Sequence, residues 1–120
     1  MERNYRIELL DIASDNIDEI AVYIAKDLGN RRAAEKLIEK IYKRIGQLEK
    51  FPHANPLYFP PDEEPLRREY RKISLEGYLI FYYVDEDKGR VVISRVICAR
   101  RDLRRKLEEP ERPLEGGERP

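Results

Sequence analysis

Basic side chains are concentrated in two segments of the second half of the chain. Residues 67–72 carry four positive charges and one negative charge, and residues 95–106 carry six positive charges and one negative charge. Clustered guanidinium and ammonium groups can bind phosphate or carboxylate groups. The whole chain has 24 basic and 24 acidic residues, so this basic character is local. The candidate residues for binding a target or partner are Arg68, Arg71, Lys72, Arg95, Arg100, Arg101, Arg104 and Arg105.

Arg95 is the most informative of these cations because it lies inside a predicted strand, residues 90–98. Strict alternation places it on the same face as three apolar side chains, those of Val91, Ile93 and Ile97. An unpaired guanidinium is costly to bury, so two interpretations are open. Arg95 either forms an ion pair with an acid such as Glu69 or lines a groove that binds an anion with other basic side chains.

The sequence offers little for metal, redox or acid–base chemistry. It contains one cysteine, Cys98, and one histidine, His53, so it can form neither an internal disulfide nor a His/Cys zinc cluster. We therefore expect no cofactor and no metal. His53 lies in a proline-rich segment without a nearby serine, cysteine or acid in a recognised motif, and we interpret it as a surface loop residue rather than a general base.

Two amphipathic helices are predicted in the first half of the chain. Apolar residues recur at helical spacing over residues 15–28, with Ser14 or Asp15 as the N-cap and Gly29 placed to end the helix. Asn30 is the predicted cap of a second helix, which continues up to the proline-rich segment. So short a link makes the helices antiparallel neighbours, and each offers its apolar stripe to a common partner.

The predicted strands supply that partner. Residues 5–9 alternate between apolar and polar types, and three further segments, 67–73, 78–84 and 90–98, read as an antiparallel meander. The predicted fold is therefore α+β, with an N-terminal strand, a helical hairpin, a C-terminal meander and a short basic C-terminal segment. We expect one domain over residues 1–107 and an acidic, disordered tail over residues 108–120.

No part of the sequence predicts insertion into a membrane. The longest uninterrupted apolar run is Tyr78 to Val84, and a membrane-spanning helix needs roughly 18 such residues. The charged start is not followed by a signal-like apolar stretch. We therefore expect a cytoplasmic protein that makes no contact with membranes.

Several short motifs follow one another along the chain at set spacings, and we call this arrangement the register. In the second half they are Leu66-Arg67…Tyr70-Arg71, Phe81-Tyr82…Val84 and Val91-x-Ile93-x-Arg95-Val96. In the helical part they are Ile20…Tyr23-Ile24, Ala33-Ala34 and Leu48…Phe51-Pro52. Over about residues 5 to 106, this register resembles the RelE/ParE superfamily of bacterial toxin–antitoxin toxins.

The resemblance implies a growth-inhibiting toxin that a cognate antitoxin neutralises by covering its basic or grooved surface. ParE-like members poison DNA gyrase, whereas RelE-like members cleave messenger RNA on the ribosome. The spacing from Leu66 to Tyr82 is closer to ParE-like members, and we favour gyrase. A third interpretation is a non-toxic module that only binds an antitoxin or serves as a scaffold. The local excess of cations and an open sheet edge both favour binding of an acidic antitoxin segment.

A RelE-like mechanism would need cations beside the phosphate together with a proton acceptor and donor. In that case the resemblance makes Arg71, Lys72, Arg95 and Arg100 the candidate catalytic cations. The position of Cys98 is often His or Tyr in the family, and a neutral thiol is a poorer proton donor, which disfavours the nuclease. Possible substitutes are Glu69, Tyr82 and Tyr83.

Overall fold

Two helices pack on one face of a four-stranded mixed sheet. The elements are β1 (Arg6–Leu9), α1 (Asp11–Val22), α2 (Arg31–Gly46), β2 (Arg71–Leu75), β3 (Tyr78–Asp85) and β4 (Arg90–Cys98), with a π-helical turn (Tyr23–Asp27) after α1 and a 3₁₀ turn (Gln47–Glu49) after α2. The strand order is β1-β4-β3-β2, with β1 parallel to β4 and the other neighbours antiparallel. The predicted α+β fold is confirmed.

The computed structural model describes residues 4–59 and 68–99. The expected basic segment after Ala99 and the expected tail over residues 108–120 lie outside these ranges. The first strand of the meander begins at Arg71 and ends at Leu75, somewhat later than the predicted segment 67–73. Among the described residues, no helix combines the length and the apolar character needed to cross a membrane.

The helical hairpin differs from the prediction at its beginning. α1 starts at Asp11, and its N-cap is Leu10, which makes no side-chain capping bond. The prediction of Ser14 or Asp15 as the cap was wrong, because Ala13 is fully buried and extends the apolar stripe by one turn. The link between the helices agrees with the prediction: Gly29 has φ 64°, and Asn30 Oδ1 accepts a hydrogen bond from the Ala33 amide at 3.0 Å.

The main core lies between the helices and the sheet. The two helices and the 3₁₀ turn contribute Ala13, Ile17, Leu37, Ile41, Ile45 and Leu48, and the strands contribute Ile73, Ile80, Tyr82, Val91, Ile93 and Val96. A smaller apolar cluster covers the opposite face of the sheet, with Tyr70, Leu79, Phe81 and Ile97 at its centre and with Tyr58 and Tyr83 packed against it. β3 is therefore apolar on both faces, as predicted for an inner strand.

A β-bulge at Ser94 changes which face each residue of β4 occupies. Phe81 pairs with Arg95, whereas the next residue of β3, Tyr82, pairs with Ile93. Ser94 is therefore the extra residue on β4, and the side chains beyond it change faces. Val96 joins the main core, while Arg95 lies opposite Phe81 on the other face. The prediction that Arg95 shares a face with Val91 and Ile93 was wrong.

Candidate functional site

The proline-rich loop over residues 52–59 lies along the outer edge of β2. The Tyr58 amide donates to the Tyr70 carbonyl at 2.8 Å, and the Lys72 amide donates to the Pro56 carbonyl at 3.1 Å. These bonds continue the sheet for a short distance beyond β2, since they use the main-chain groups that face away from β3. The loop is thus held in place although its two prolines, Pro52 and Pro56, have no N–H to donate.

Two side chains tie the start of this loop to the sheet. Arg71 Nη1 donates to the Asn55 carbonyl at 2.7 Å. Tyr82 Oη donates to the Pro52 carbonyl at 2.8 Å and accepts from Asn55 Nδ2 at 3.2 Å. Burial raises the pKa of Tyr82, against the lowering effect of the Asn55 hydrogen bond and the Arg71 charge. Tyr82 therefore remains a neutral donor near pH 7.

His53 is an exposed loop residue, as predicted, but it has an acidic partner that the sequence did not indicate. Its Nε2 lies 2.7 Å from Glu86 Oε2 in the turn between β3 and β4. The second oxygen of Glu86 accepts a hydrogen bond from Tyr5 Oη at 2.8 Å. A histidine held by a carboxylate in this way can act as a proton acceptor or donor. Sequence reasoning missed the pair because its members are 33 residues apart and belong to no known motif.

Arg90 forms a second charged cluster beside this pair. Its Nε donates to Asp85 Oδ2 at 3.0 Å and its Nη1 donates to Glu8 Oε1 at 2.8 Å. The hydrogen bond to Asp85, together with Glu8 and despite some desolvation, raises the pKa of Arg90. Desolvation would raise the pKa of Asp85, but the hydrogen bonds from Arg90 and from the Lys88 amide hold it below its ordinary value. The charges of this cluster are therefore largely neutralised internally.

Several members of the two clusters, namely His53, Glu86, Asp85 and Arg90, line a cleft of about 520 Å³ at the end of the sheet that carries the β3–β4 turn. Its lining consists of His53, Leu57, Arg68, Glu69, Arg71, Tyr83, Val84, Asp85, Glu86, Asp87 and Arg90. Its lining contains both acids and bases, so the cleft does not present a field of one sign. No group of three or more His, Cys, Asp or Glu side chains within residues 4–59 and 68–99 is placed to hold a metal ion.

The face of the sheet that points away from the helices carries a separate row of side chains. Lys72 and Arg95 both pair with Phe81, so these three side chains lie side by side across three strands. Arg95 is only 2% exposed, and its Nη1 donates to the Ser94 carbonyl at 2.9 Å and to the Ser94 hydroxyl at 3.2 Å. Glu69, the suggested ion-pair partner, is exposed at the surface. The burial of Arg95 does not fit an open groove, so its role in binding a target stays a prediction.

Aromatic rings and cations are interleaved around the edge of this face. The Arg68 guanidinium lies 4.4 Å from the centre of the Tyr83 ring, and Lys72 Nζ lies 5.6 Å from the centre of the Tyr58 ring. Among the described residues, the buried hydroxyl of Tyr70 has no hydrogen-bond partner.

The proposed cations are therefore not all brought together. Arg71 pairs with Tyr82 on the helix-facing side of the sheet, whereas Lys72 and Arg95 flank Phe81 on the other side. Arg68 lines the cleft together with Arg71. The remaining candidates, Arg100, Arg101, Arg104 and Arg105, lie outside the described residues.

Comparison with protein-family models finds a match to the ParE toxin of type II toxin–antitoxin systems (parDE) over residues 7–103. The chain belongs to the ParE toxin family. No curated protein matches the chain in sequence.

Solved structures of related toxins have the same fold as this ParE-family chain. The chromosomal ParDE system of P. aeruginosa matches with a TM-score of 0.62 at 16% identity, covering 78% of this chain and 95% of that one. The isolated RelE toxin of E. coli matches with a TM-score of 0.56 at 21% identity, covering 85% of this chain and 92% of that one. The archaeal RelE–RelB complex of Pyrococcus horikoshii OT3 matches with a TM-score of 0.57 at 11% identity, covering 82% of this chain and 99% of that one. At these identities the likeness concerns the fold alone.

In this ParE-family chain, Cys98 ends β4 and is half-buried. It pairs with Tyr78 across the sheet. Burial raises the pKa of Tyr78, and the neighbouring Cys98 and Tyr23 raise it further. The hydroxyl of Tyr78 therefore keeps its proton near pH 7.

Proposed function

We propose that this ParE-family toxin arrests bacterial growth by poisoning DNA gyrase, in the cytoplasm, and that a cognate antitoxin neutralises it. The observation that carries the proposal is the match to the ParE family model over residues 7–103. A gyrase poison acts through surface contacts and needs no proton-transfer residues. The thiol at Cys98, where the family often has histidine or tyrosine, is consistent with this mechanism.

The distribution of the cations also supports a contact mechanism over cleavage of RNA. Stabilising charge on a reacting phosphate requires several cations around one point. Arg71 lies on one side of the sheet and Lys72 on the other, while Arg95 is buried. The described part of the chain thus does not assemble Arg71, Lys72 and Arg95 around a single phosphate.

The outer edge of β1 is the proposed site for a strand of the antitoxin. The amides of Arg6 and Leu10 bond to the β4 side, to Gly89 and Ile93. Because backbone groups alternate along a strand, those of Ile7 and Leu9 point the other way. The Tyr5 amide closes the start of this edge by bonding to Glu49. An extended peptide that pairs with Ile7 and Leu9 would add a fifth strand to the sheet.

Expression and enzymatic assays test this proposal directly. Induced expression without antitoxin should arrest growth, and the purified toxin should inhibit gyrase supercoiling while ribosome-bound message stays intact. Normal growth at confirmed soluble expression would favour the non-toxic antitoxin-binding or scaffold module instead. Cleaved message with unaffected gyrase would favour the ribosome and messenger RNA as targets.

The RelE-like nuclease remains a second candidate because of one observation, the pairing of His53 with Glu86 at 2.7 Å in a cleft that also contains Arg71. A carboxylate-held histidine beside a guanidinium could supply a proton acceptor and a cation for attack by a 2′-hydroxyl. If this candidate holds, His53→Gln should abolish cleavage of message while the protein stays folded. If message cleavage is absent in the wild-type protein, the His53–Glu86 pair serves only to fix the loop.

A further inference from the structure

The solvent-facing side of α2 carries a continuous row of cations. Their spacing is four, four and three residues, which places them along one stripe of a helix. All are exposed, and the opposite side of α2 supplies the core. The row consists of Arg32, Lys36, Lys40 and Lys43, and we call it the α2 basic stripe.

Ion pairs compensate little of this charge. Lys40 pairs with Glu76 in the turn between β2 and β3. Arg31, which lies outside the stripe, pairs with Glu35 at 3.3 Å. In the part of the chain that the structure describes, the other three members of the stripe form no ion pair, and their charge remains available to an external anion.

The stripe contains like-charged neighbours that destabilise α2. Arg32 and Lys36, and then Lys36 and Lys40, are like-charged neighbours four residues apart, an arrangement that destabilises a helix. The first turn contains no acid, so Arg31 and Arg32 lie at the positive end of the helix dipole. Glu35 and Glu39 are also exposed and lie three or four residues from members of the stripe, so they offset part of this repulsion. The like-charged neighbours that remain have a cost that binding of an anionic partner would offset.

The neighbouring helix has the opposite charge. α1 contains four acids and no base, namely Asp11, Asp15, Asp18 and Glu19. A polyanion is repelled from α1 and attracted to α2, so the contact would be limited to one ridge of the helical layer.

We propose that the α2 basic stripe binds the phosphate backbone of duplex DNA. From Arg32 to Lys43 the stripe extends for about 16 Å, which corresponds to the rise of about five phosphates on one strand. A straight, rigid row of cations suits the stiff duplex. Single strands are bound mainly in grooves with stacked aromatic rings, and the stripe is a ridge without an aromatic member. The site goes beyond the proposed function and would exist whichever target the toxin has.

Salt-dependent binding tests the proposal with a matched pair of variants. Lys36→Gln/Lys43→Gln removes two cations of the stripe, and Lys26→Gln/Lys88→Gln removes two exposed lysines elsewhere. Anisotropy of a labelled 20-base-pair duplex is measured from about 50 to 200 mM KCl, the range over which such contacts are strongly salt-dependent. The stripe variant should bind at least tenfold more weakly at the low-salt end. Its plot of log K against log[salt] should be shallower by about two units, and the control should match the wild-type protein.

A second variant separates loss of contact from loss of fold. Arg32→Glu reverses one cation of the stripe, places an acid in the first turn and creates a favourable pair with Lys36. It should melt at the same temperature as the wild-type protein or higher, and still bind duplex more weakly.

Four results would overturn the proposal. They are absence of duplex binding by the wild-type protein, equal weakening in both double variants, equal or tighter binding of a single strand of the same length, and tighter binding of a poly-glutamate peptide of equal charge. The last result would identify the occupant as an acidic polypeptide.

Discussion

Tyr82 joins the sheet to the proline-rich loop through one hydroxyl group, and Tyr82→Phe tests that link. The variant leaves the carbonyl of Pro52 without its donor in a buried position. We expect a loss of about 1–2 kcal/mol in the free energy of unfolding, measured by urea denaturation.

The pH dependence of the same variant identifies the cause. The pKa of Tyr82 is raised in the folded protein above the ordinary value of 10.0, so the folded state keeps the proton longer than the unfolded chain. Its contribution to stability is present below pH 10 and is lost as the pH rises through the folded pKa. The stability difference between wild type and Tyr82→Phe should therefore shrink above pH 10. A constant difference would show that the proton of this hydroxyl is not the source of the stabilisation.

Arg95 and Lys72 flank the same phenylalanine, Phe81, but differ in burial. Arg95 is 2% exposed, whereas Lys72 is only half-buried. Truncation of a large buried side chain leaves a cavity, so Arg95→Ala should lower the free energy of unfolding by about 2–4 kcal/mol. Lys72→Ala should lower it by less than about 1 kcal/mol. If Arg95→Ala instead keeps wild-type stability and loses only toxicity, Arg95 lines a binding surface.

At the scale of the elements, two glycines of the helical layer respond in opposite directions to the same substitution. Gly29 has φ 64° and Gly46 has φ −62°, and neither has an atom within 4 Å of an added Cβ. Gly29→Ala should therefore destabilise the fold by about 1 kcal/mol through backbone strain alone. Gly46→Ala should stabilise it by about 0.5–1 kcal/mol. Thermal melting followed by circular dichroism measures both, and equal effects would contradict the conformational explanation.

The link between α1 and α2 shows which structural features could be predicted from the sequence. Gly29 and Asn30 act through local backbone geometry, and a local rule was enough to place the end of one helix and the cap of the next. The start of α1 follows no such rule, because the cap position is Leu10 and its side chain makes no capping bond. The position of that end depends on β1, whose chain passes directly into the helix.

Features that depend on contacts between residues far apart in the chain could not be predicted from the sequence. The bulge at Ser94 leaves no compositional signal, yet it reverses the orientation of Arg95 relative to Ile93. The contact of His53 with Glu86 and Tyr5 joins three separate parts of the chain. The basic character of the candidate site was visible in the sequence, but its division between two faces was not.

On the scale of the whole molecule, the proposed contact surfaces lie on different elements. The antitoxin strand is proposed at the outer edge of β1, and DNA at the α2 basic stripe. β1 lies at one end of the sheet order and is separated from β2 by two strands. If both proposals hold, one surface can be changed without altering the other.

Charge changes on α2 should therefore separate target inhibition from neutralisation. Lys36→Gln/Lys43→Gln should require about tenfold more toxin for half-maximal inhibition of gyrase supercoiling at low salt, because two phosphate contacts are lost. The affinity for the antitoxin, measured by calorimetry, should stay within about twofold of the wild-type value. Lys26→Gln/Lys88→Gln, with the same net charge, should change neither quantity. A parallel loss of antitoxin affinity in the stripe variant would mean that the antitoxin covers α2, and that DNA and antitoxin compete for the same ridge.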